Sequence, residues 1–475
     1  MMASEGAASI LPQRYTREPY LTGVRIRWAA LVLGSLGWGY PQDSLDPRRR
    51  LHPYDLARKR EGWVIVGYPT AGYDPLRSIG AAIVGSIAYN GQRTSPTFTY
   101  QPYKHYLFLQ AGGYLKGSQY VRWVYDAPWL GERPYRLTLR TQYRHEPQGQ
   151  FWGLGSRYLS QRLPAPLFRY EKALQVPFLG SDGHWYTRLG QYHFELRQWQ
   201  GWVIGERIAC RGLLRLLGGL RALHEEVFSL AGRSYELHAP NGQKVSARQG
   251  PTLLDSAAGG LVPTLAGVRV RPGPSTRFFV GGAVVWDARD FEISPNAGWC
   301  AEIAHEVSLG TLPTHKTFLG VRAYHTLYRS PSEKIQLVSA VNGLLAFTYG
   351  RQVFFTDLYY ANRWSEGRSF AILTGPTSVR AFRENRFVTP AAYLFQVELR
   401  SRVAEVRLLR QHFTGGPILF WDAASGSDRL GLPRHGVQGG GVGLRLLWNM
   451  TTVLRADAAY GAEGWQLHFT TGHTF

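Results

Sequence analysis

Between Tyr135 and Arg144 the chain alternates strictly. Tyr135, Leu137, Leu139, Thr141 and Tyr143 share one parity, while Arg136, Thr138, Arg140, Gln142 and Arg144 share the other. Successive side chains of a strand point to opposite faces, so a strand sorts these residues cleanly, whereas a helix would scatter both sets around its axis. A soluble sandwich or propeller must bury one face in a dry core. Here one face carries arginines and the other is apolar with aromatics near both ends. That division is the signature of a transmembrane β-strand with a wet inner side.

The same sorting recurs along the chain. Ile79, Ala81, Ile83, Ile87 and Tyr89 alternate with Ser78, Gly80, Ala82, Ser86 and Ala88. Tyr192, Phe194 and Leu196 alternate with Gln191, His193, Glu195 and Arg197. Phe395, Val397 and Leu399 oppose Gln396, Glu398 and Arg400, and Leu454, Ala456, Ala458 and Tyr460 oppose Arg455 and Asp457. The pattern predicts strands near 76–90, 103–116, 118–127, 135–145, 186–200, 213–230, 276–289, 298–309, 316–328, 334–347, 350–360, 391–408, 414–424, 436–448, 451–461 and 464–475. The expected fold is therefore all-β, a transmembrane antiparallel β-barrel of about 16 strands, an even number as single-chain bacterial barrels have. An open sheet edge in lipid would strand its backbone groups, so the sheet is expected to close.

The 475 residues carry a formal net charge of +21. A basic balance invites a nucleic-acid partner, but the arginines are spread through alternating segments rather than clustered. A cationic lumen and surfaces facing anionic lipids account for the same charge. No apolar run reaches the length of a membrane helix. The two cysteines, Cys210 and Cys300, fit neither a disulfide framework nor a zinc pattern. His224-Glu225 and His305-Glu306 each lack the second histidine of a zinc helix, so no metal, cofactor or catalytic set is expected. Near the N-terminus, Arg25 and Arg27 precede the apolar run Trp28 to Tyr40, which reads as a secretory signal. The expected organisation is a signal peptide over 1–40, a periplasmic linker over 41–75 and an outer-membrane barrel over 76–475.

A set of spaced landmarks fills the C-terminal part. These are Asp287-Ala-Arg-Asp290 with Pro295 and Gly298-Trp299, then Val379-Arg-Ala-Phe382 ahead of Arg383-Glu-Asn-Arg-Phe387. Glu398-Leu-Arg400, Phe420-Trp-Asp-Ala-Ala424, Leu454-Arg-Ala-Asp457 and the closing Gly472-His-Thr-Phe475 follow, and Phe151-Trp-Gly-Leu-Gly155 stands earlier. Together they resemble the motifs of the bacterial surface antigen family, the BamA/TamA-type outer-membrane assembly superfamily. The resemblance covers most of residues 62–475 and is sharpest from 287 onward. It departs at Ala381 and Ala424, where the family has glycine.

The resemblance implies a sixteen-stranded barrel whose extracellular loop Val379, Arg380, Ala381, Phe382 folds back into the lumen. Its arginine would meet acidic groups of the inner wall. By parity these are Glu398 and Asp422, and a guanidinium can bridge two carboxylates. The 20 to 35 residues between the expected signal and Leu76 cannot hold a periplasmic POTRA domain, so the chain resembles a short form lacking POTRA domains. The family's gate-like seam would fall between the first strand, Leu76 to Asn90, and the last, Gly464 to Phe475. The expected role is protein or lipid transport and assembly at the outer membrane of a Gram-negative-type bacterium. The alternatives are a passive channel, an anchor for a periplasmic or surface partner, and a lumenal lipid hydrolase. Expected partners are outer-membrane lipids and lipopolysaccharide, a client polypeptide or lipid, and a periplasmic protein, around a monomeric barrel without nucleic acid.

Overall fold

In the computed structural model the chain is described over residues 45–74, 77–160, 173–408, 411–431, 433 and 435–475, so the signal expected over 1–40 lies outside the described residues. The wall is one antiparallel sheet in which each strand pairs with its neighbour in the chain. Its strands are β1 (Trp63–Asp74), β2 (Ser78–Tyr89), β3 (His105–Tyr114), β4 (Gln119–Ala127), β5 (Tyr135–Gln150), β6 (His193–Ala209), β7 (Leu214–Ser229) and β8 (Gly273–Asp287). They continue as β9 (Gly298–Ser308), β10 (Thr314–Arg329), β11 (Gln336–Gly350), β12 (Ala391–Arg402 with Ala404–Leu408), β13 (Gln411–Ser427), β14 (His435–Trp448), β15 (Thr452–Gly461) and β16 (Gly464–Thr471). The two parts of β12 pair with the same β13 on either side of Val403, where one extra residue makes a bulge.

The count of sixteen agrees with the sequence pattern, but its members differ at two places. Trp63–Asp74 is a wall strand, in register with β2 from Trp63↔Tyr89 to Asp74↔Ser78, although 41–75 reads as a linker. Both parities of Trp63-Val-Ile-Val66 are apolar, so alternation does not reveal it. Val64 and Val66 are buried inward beside Ala88 and Tyr103, while Trp63 and Ile65 point outward. Conversely, 350–360 contributes no wall strand; it runs into a buried 3₁₀ turn, Phe355–Tyr359. A third difference is the facing of Phe194 and Leu196. Both are buried on the inner side, against Phe151, Phe355 and Tyr359, and Arg197 faces out.

Ile83, Trp465, Leu444 and Phe469 are among the exposed residues of an apolar outer face, and the Tyr143 ring meets that of Trp199 at a tilt of 40° across the β5–β6 pair. The interior is divided. Trp202, Ile204, Leu217, Val285 and Phe318 of the wall pack on Trp364, Phe370 and Leu373 of the β11–β12 connection, a dry core inside the barrel. Beside β2 to β5 the interior is polar and holds a cavity of ≈ 340 Å³.

The three longest connections, 151–192, 230–272 and 351–390, leave the same end of the sheet. The first two share a small sheet, in which Trp185–Thr187 pairs with Phe178–Leu179 and with Lys244–Gln249. At the opposite end, residues 45–62 lie across the strand ends. Leu51 is buried with Phe291 and Met450. Asp55 accepts from Arg402 at 2.7 Å, and Lys59 donates to the carbonyls of Phe98 and Gln101 at 2.5 and 2.6 Å. Residues 45–62, part of the expected periplasmic linker, thus form a fitted cover, because their charges alternate with anchors that match groups on four different hairpins.

The placement of β1 predicts that Ile65→Arg lowers barrel stability by about 2 kcal/mol, since its side chain faces out of the wall. Heat-modified mobility on gels after refolding into lipid measures this; an unchanged midpoint would place Trp63–Asp74 in solvent.

Candidate functional site: the lumenal loop and the wall seam

The segment Gly375 to Phe387 lies inside the barrel. Its base is pinned by Thr374, whose hydroxyl accepts from the amides of Arg386 and Phe387 at 3.0 and 3.4 Å. Leu373, Val379 and Phe382 are buried in the lumenal core, and Phe382 meets Phe387 edge-on at 5.6 Å. This apolar packing draws the loop inward and leaves the side chain of Arg380 no route to solvent.

Arg380 is fully buried. Its Nε and Nη2 donate to the two oxygens of Asp422, each at 2.8 Å, and its Nη1 donates to Glu398 Oε1 at 2.6 Å. Nη1 also reaches Asp457 Oδ2 at 3.3 Å and Thr474 Oγ1 at 3.2 Å, while the guanidinium plane lies 3.5 Å from the Phe420 ring centroid. Parity alone points to Glu398 and Asp422. Asp457 shares the inward parity of Arg455 on β15 and is legible by the same rule, whereas Thr474 is not, because it lies beyond the last strand. Arg400, Arg445 and Arg455 complete the network around Glu398 and Asp457. Removing one member of such a buried set strands the others, which typically costs about 3–5 kcal/mol.

Ala381 fits where two wall glycines leave room. A Cβ built on Gly439 of β14 would lie 2.1 Å from the Ala381 methyl, and one on Gly461 of β15 would lie 2.7 Å from it. The methyl at position 381 is therefore accommodated by the wall. Arg386 donates to Glu463 at 2.8 Å and lies over Trp152, so it is a second tie of the loop. Ala424 is buried in the same lumenal core.

The seam differs from the residues read from sequence. Leu76 lies outside the described residues. Asn90 follows β2, which is paired on both sides, and its side chain donates to the Arg60 carbonyl at 2.8 Å. Gly464 pairs with Gly461 in the β15–β16 hairpin. Phe475 has left the wall and is buried with Tyr324, Val338 and Ala340, after a turn that Gly472 makes at φ +83°. The seam is the junction of β1 and β16. These strands approach within 8 Å but share no ladder, and each pairs only with its inner neighbour. Thr471 of β16 contacts Arg122 of β4 at 3.5 Å, although β1, β2 and β3 stand between those strands in the wall. The end of β16 has therefore swung across the inner face. A cavity of ≈ 730 Å³ occupies the junction, bordered by outward residues such as Pro69, Ala71, Leu444 and Phe469 and by inward Gln110 and Tyr120.

Residues 233–475 match the Omp85 superfamily domain, and residues 42–104 match a domain of unknown function, DUF5982. No curated protein matches the chain. Among solved structures it is similar to BamA from Haemophilus ducreyi lacking POTRA domains 1–3, at 13% identity and a TM-score of 0.41, over 87% of this chain and 70% of that one. It is also similar to CdiB from Escherichia coli, at 9% identity and 0.43, over 86% and 61%. For CdiB from Acinetobacter baumannii the values are 12% identity and 0.40, over 88% and 66%. The chain thus spans about two thirds of the length of these structures.

Two outcomes are expected from the loop geometry. Arg380→Ala lowers the stability of the folded barrel by about 3–5 kcal/mol, measured by heat-modified mobility, with Arg380→Lys intermediate. Gly439→Ala costs about 1–3 kcal/mol through overpacking, and adding Ala381→Gly recovers part of that loss; a double variant no better than the single one would contradict the fit.

Proposed function

The chain belongs to the Omp85 superfamily, and from that premise we propose that it is an outer-membrane barrel that passes client chains sideways through its β1–β16 seam during transport or assembly. The observation that carries this reading is the seam itself: two neighbouring strands without a ladder, bordering a cavity that has both outward and inward residues in its lining. Unpaired strand edges offer backbone donors and acceptors to an incoming strand, while the apolar outer rim receives side chains that face lipid.

The lumenal loop is given the role of a fixed strut. Arg380 ties it to β12, β13 and β15, and through Thr474 to the tail that follows β16. In this role the network's value is in holding one arrangement rather than in net stabilisation, since buried ion pairs are costly to desolvate. A wide passive pore is disfavoured by the dry core that fills the β6–β13 side of the lumen. The end covered by residues 45–62 is assigned to the periplasm, and the end with the three long connections to the cell exterior.

Cysteine pairs introduced across the seam, for example Thr70→Cys with Thr470→Cys and neighbouring combinations, test the reading. Oxidised, locked barrels are expected to lose outer-membrane assembly function in cells, and reduction is expected to restore it. Full function in a verified locked state would sink the proposal.

A further inference from the structure

Most lumenal arginines face a carboxylate: Arg136 meets Asp126, Arg215 meets Glu206, Arg277 meets Asp357 and Arg445 meets Asp457. Arg122 and Arg140 are different. Among the described residues neither has a carboxylate within ion-pair distance, and the nearest acidic influence on Arg140 is the more remote Glu366. Arg122 lies 4.6 Å from the Phe108 ring centroid and donates to the Thr471 hydroxyl at 3.5 Å, with its Nε buried and unbonded. Arg140 donates to the Gly367 carbonyl at 3.1 Å and to Gln142 at 3.4 Å.

Their positions bring them together. Arg122 is in register with Gln142, and Arg140 with Val124, so the two arginines are diagonal neighbours on the inner face of β4 and β5. Diagonal pairs stand roughly 7–8 Å apart, within reach of long side chains. The Gly367 carbonyl that Arg140 holds belongs to the residue before Arg368, which brings a third guanidinium from the loop. Arg368 shares its one carboxylate, Glu366, with Arg322 and Arg363. The local balance is therefore strongly positive. Arg122 borders the ≈ 340 Å³ cavity and Arg368 borders a second one of ≈ 240 Å³, so the group stands between them.

We propose that Arg122 and Arg140, with Arg368 opposite, hold a phosphate-type oxyanion in the lumen. Guanidinium forks match the oxygens of such a group bidentately, and an anion removes the cost of leaving two inner-wall charges uncompensated. Gln110, Tyr120 and Gln142 beside Arg122 supply neutral donors to the same cavity. Two sources present this chemistry: a free inorganic oxyanion in the lumen, and the phosphate of a membrane lipid whose headgroup reaches through the seam. Contact between Arg122 and Thr471 places the site at the inner side of that seam. The site does not depend on the transport role, because its charges are uncompensated whether or not a client passes.

The test uses the full-length protein in two arms. In detergent, after delipidation, chloride is exchanged for inorganic phosphate at constant ionic strength, and the heat-modified midpoint is followed. Native mass spectrometry of protein extracted from membranes records retained phospholipid. The free-oxyanion source is supported when phosphate raises the wild-type midpoint and Arg122→Gln and Arg140→Gln each weaken that response about tenfold. The lipid source is supported when wild type retains a phospholipid that Arg122→Gln loses. Because no ion pair is removed, Arg122→Gln is expected to be at least as heat-stable as wild type without phosphate; Arg140→Gln gives the same comparison independently. No dependence of either signal on Arg122 and Arg140 overturns the proposal.

Discussion

A sheet surrounded by hydrocarbon has nowhere to leave an unpaired amide or carbonyl. That constraint governs the wall. It makes every strand from β2 to β15 pair on both sides, and it collects all residual deficit at the one junction where the chain's first and last strands meet. The inward swing of β16 is a physical answer to that deficit. By carrying its final residues to the inner face, the strand moves unpaired backbone groups from lipid toward polar side chains such as Arg122. The same swing opens the cavity at the junction.

The interior solves a separate problem with a different balance of forces. On the β6–β13 side, apolar wall positions and the loop bury each other, so the barrel has a core like that of a soluble domain. Arg380 enters this dry region as a charge, which is affordable only because three carboxylates and a ring face receive it. Packing brings the loop in; the ion network decides where it stops. On the opposite side the wall is polar, and its charges are balanced less completely.

Much of this was legible in the sequence because period two is a strong signal where one face is wet. Tyr135–Arg144 declares itself a strand without help, and the inward parity of Glu398, Asp422 and Asp457 follows from the same rule. The signal fails where both faces are apolar. Trp63-Val-Ile-Val66 has no alternation to read, because its inner face packs on tyrosines and its outer face on lipid. It misleads at Phe194 and Leu196, which face inward because the long connections build a hydrophobic cap over that end. Residues 350–360 read as a strand from their β-formers, yet Val353, Phe355, Leu358 and Tyr359 pack into the hydrophobic cap instead. Nothing local announces that the tail after Gly472 leaves the wall, since its partners, Arg380 and Glu398, are far away in the chain.

The methyl of Ala381 and the bare backbones of Gly439 and Gly461 occupy one shared volume. Their history is therefore ordered. A lineage can exchange glycine for alanine in the loop only where both wall positions are already glycine, since any other order passes through an ancestor with colliding methyl groups. The three positions are heritable as a unit, and a chimaera that joins this loop to another member's wall inherits the collision unless both glycines travel with it.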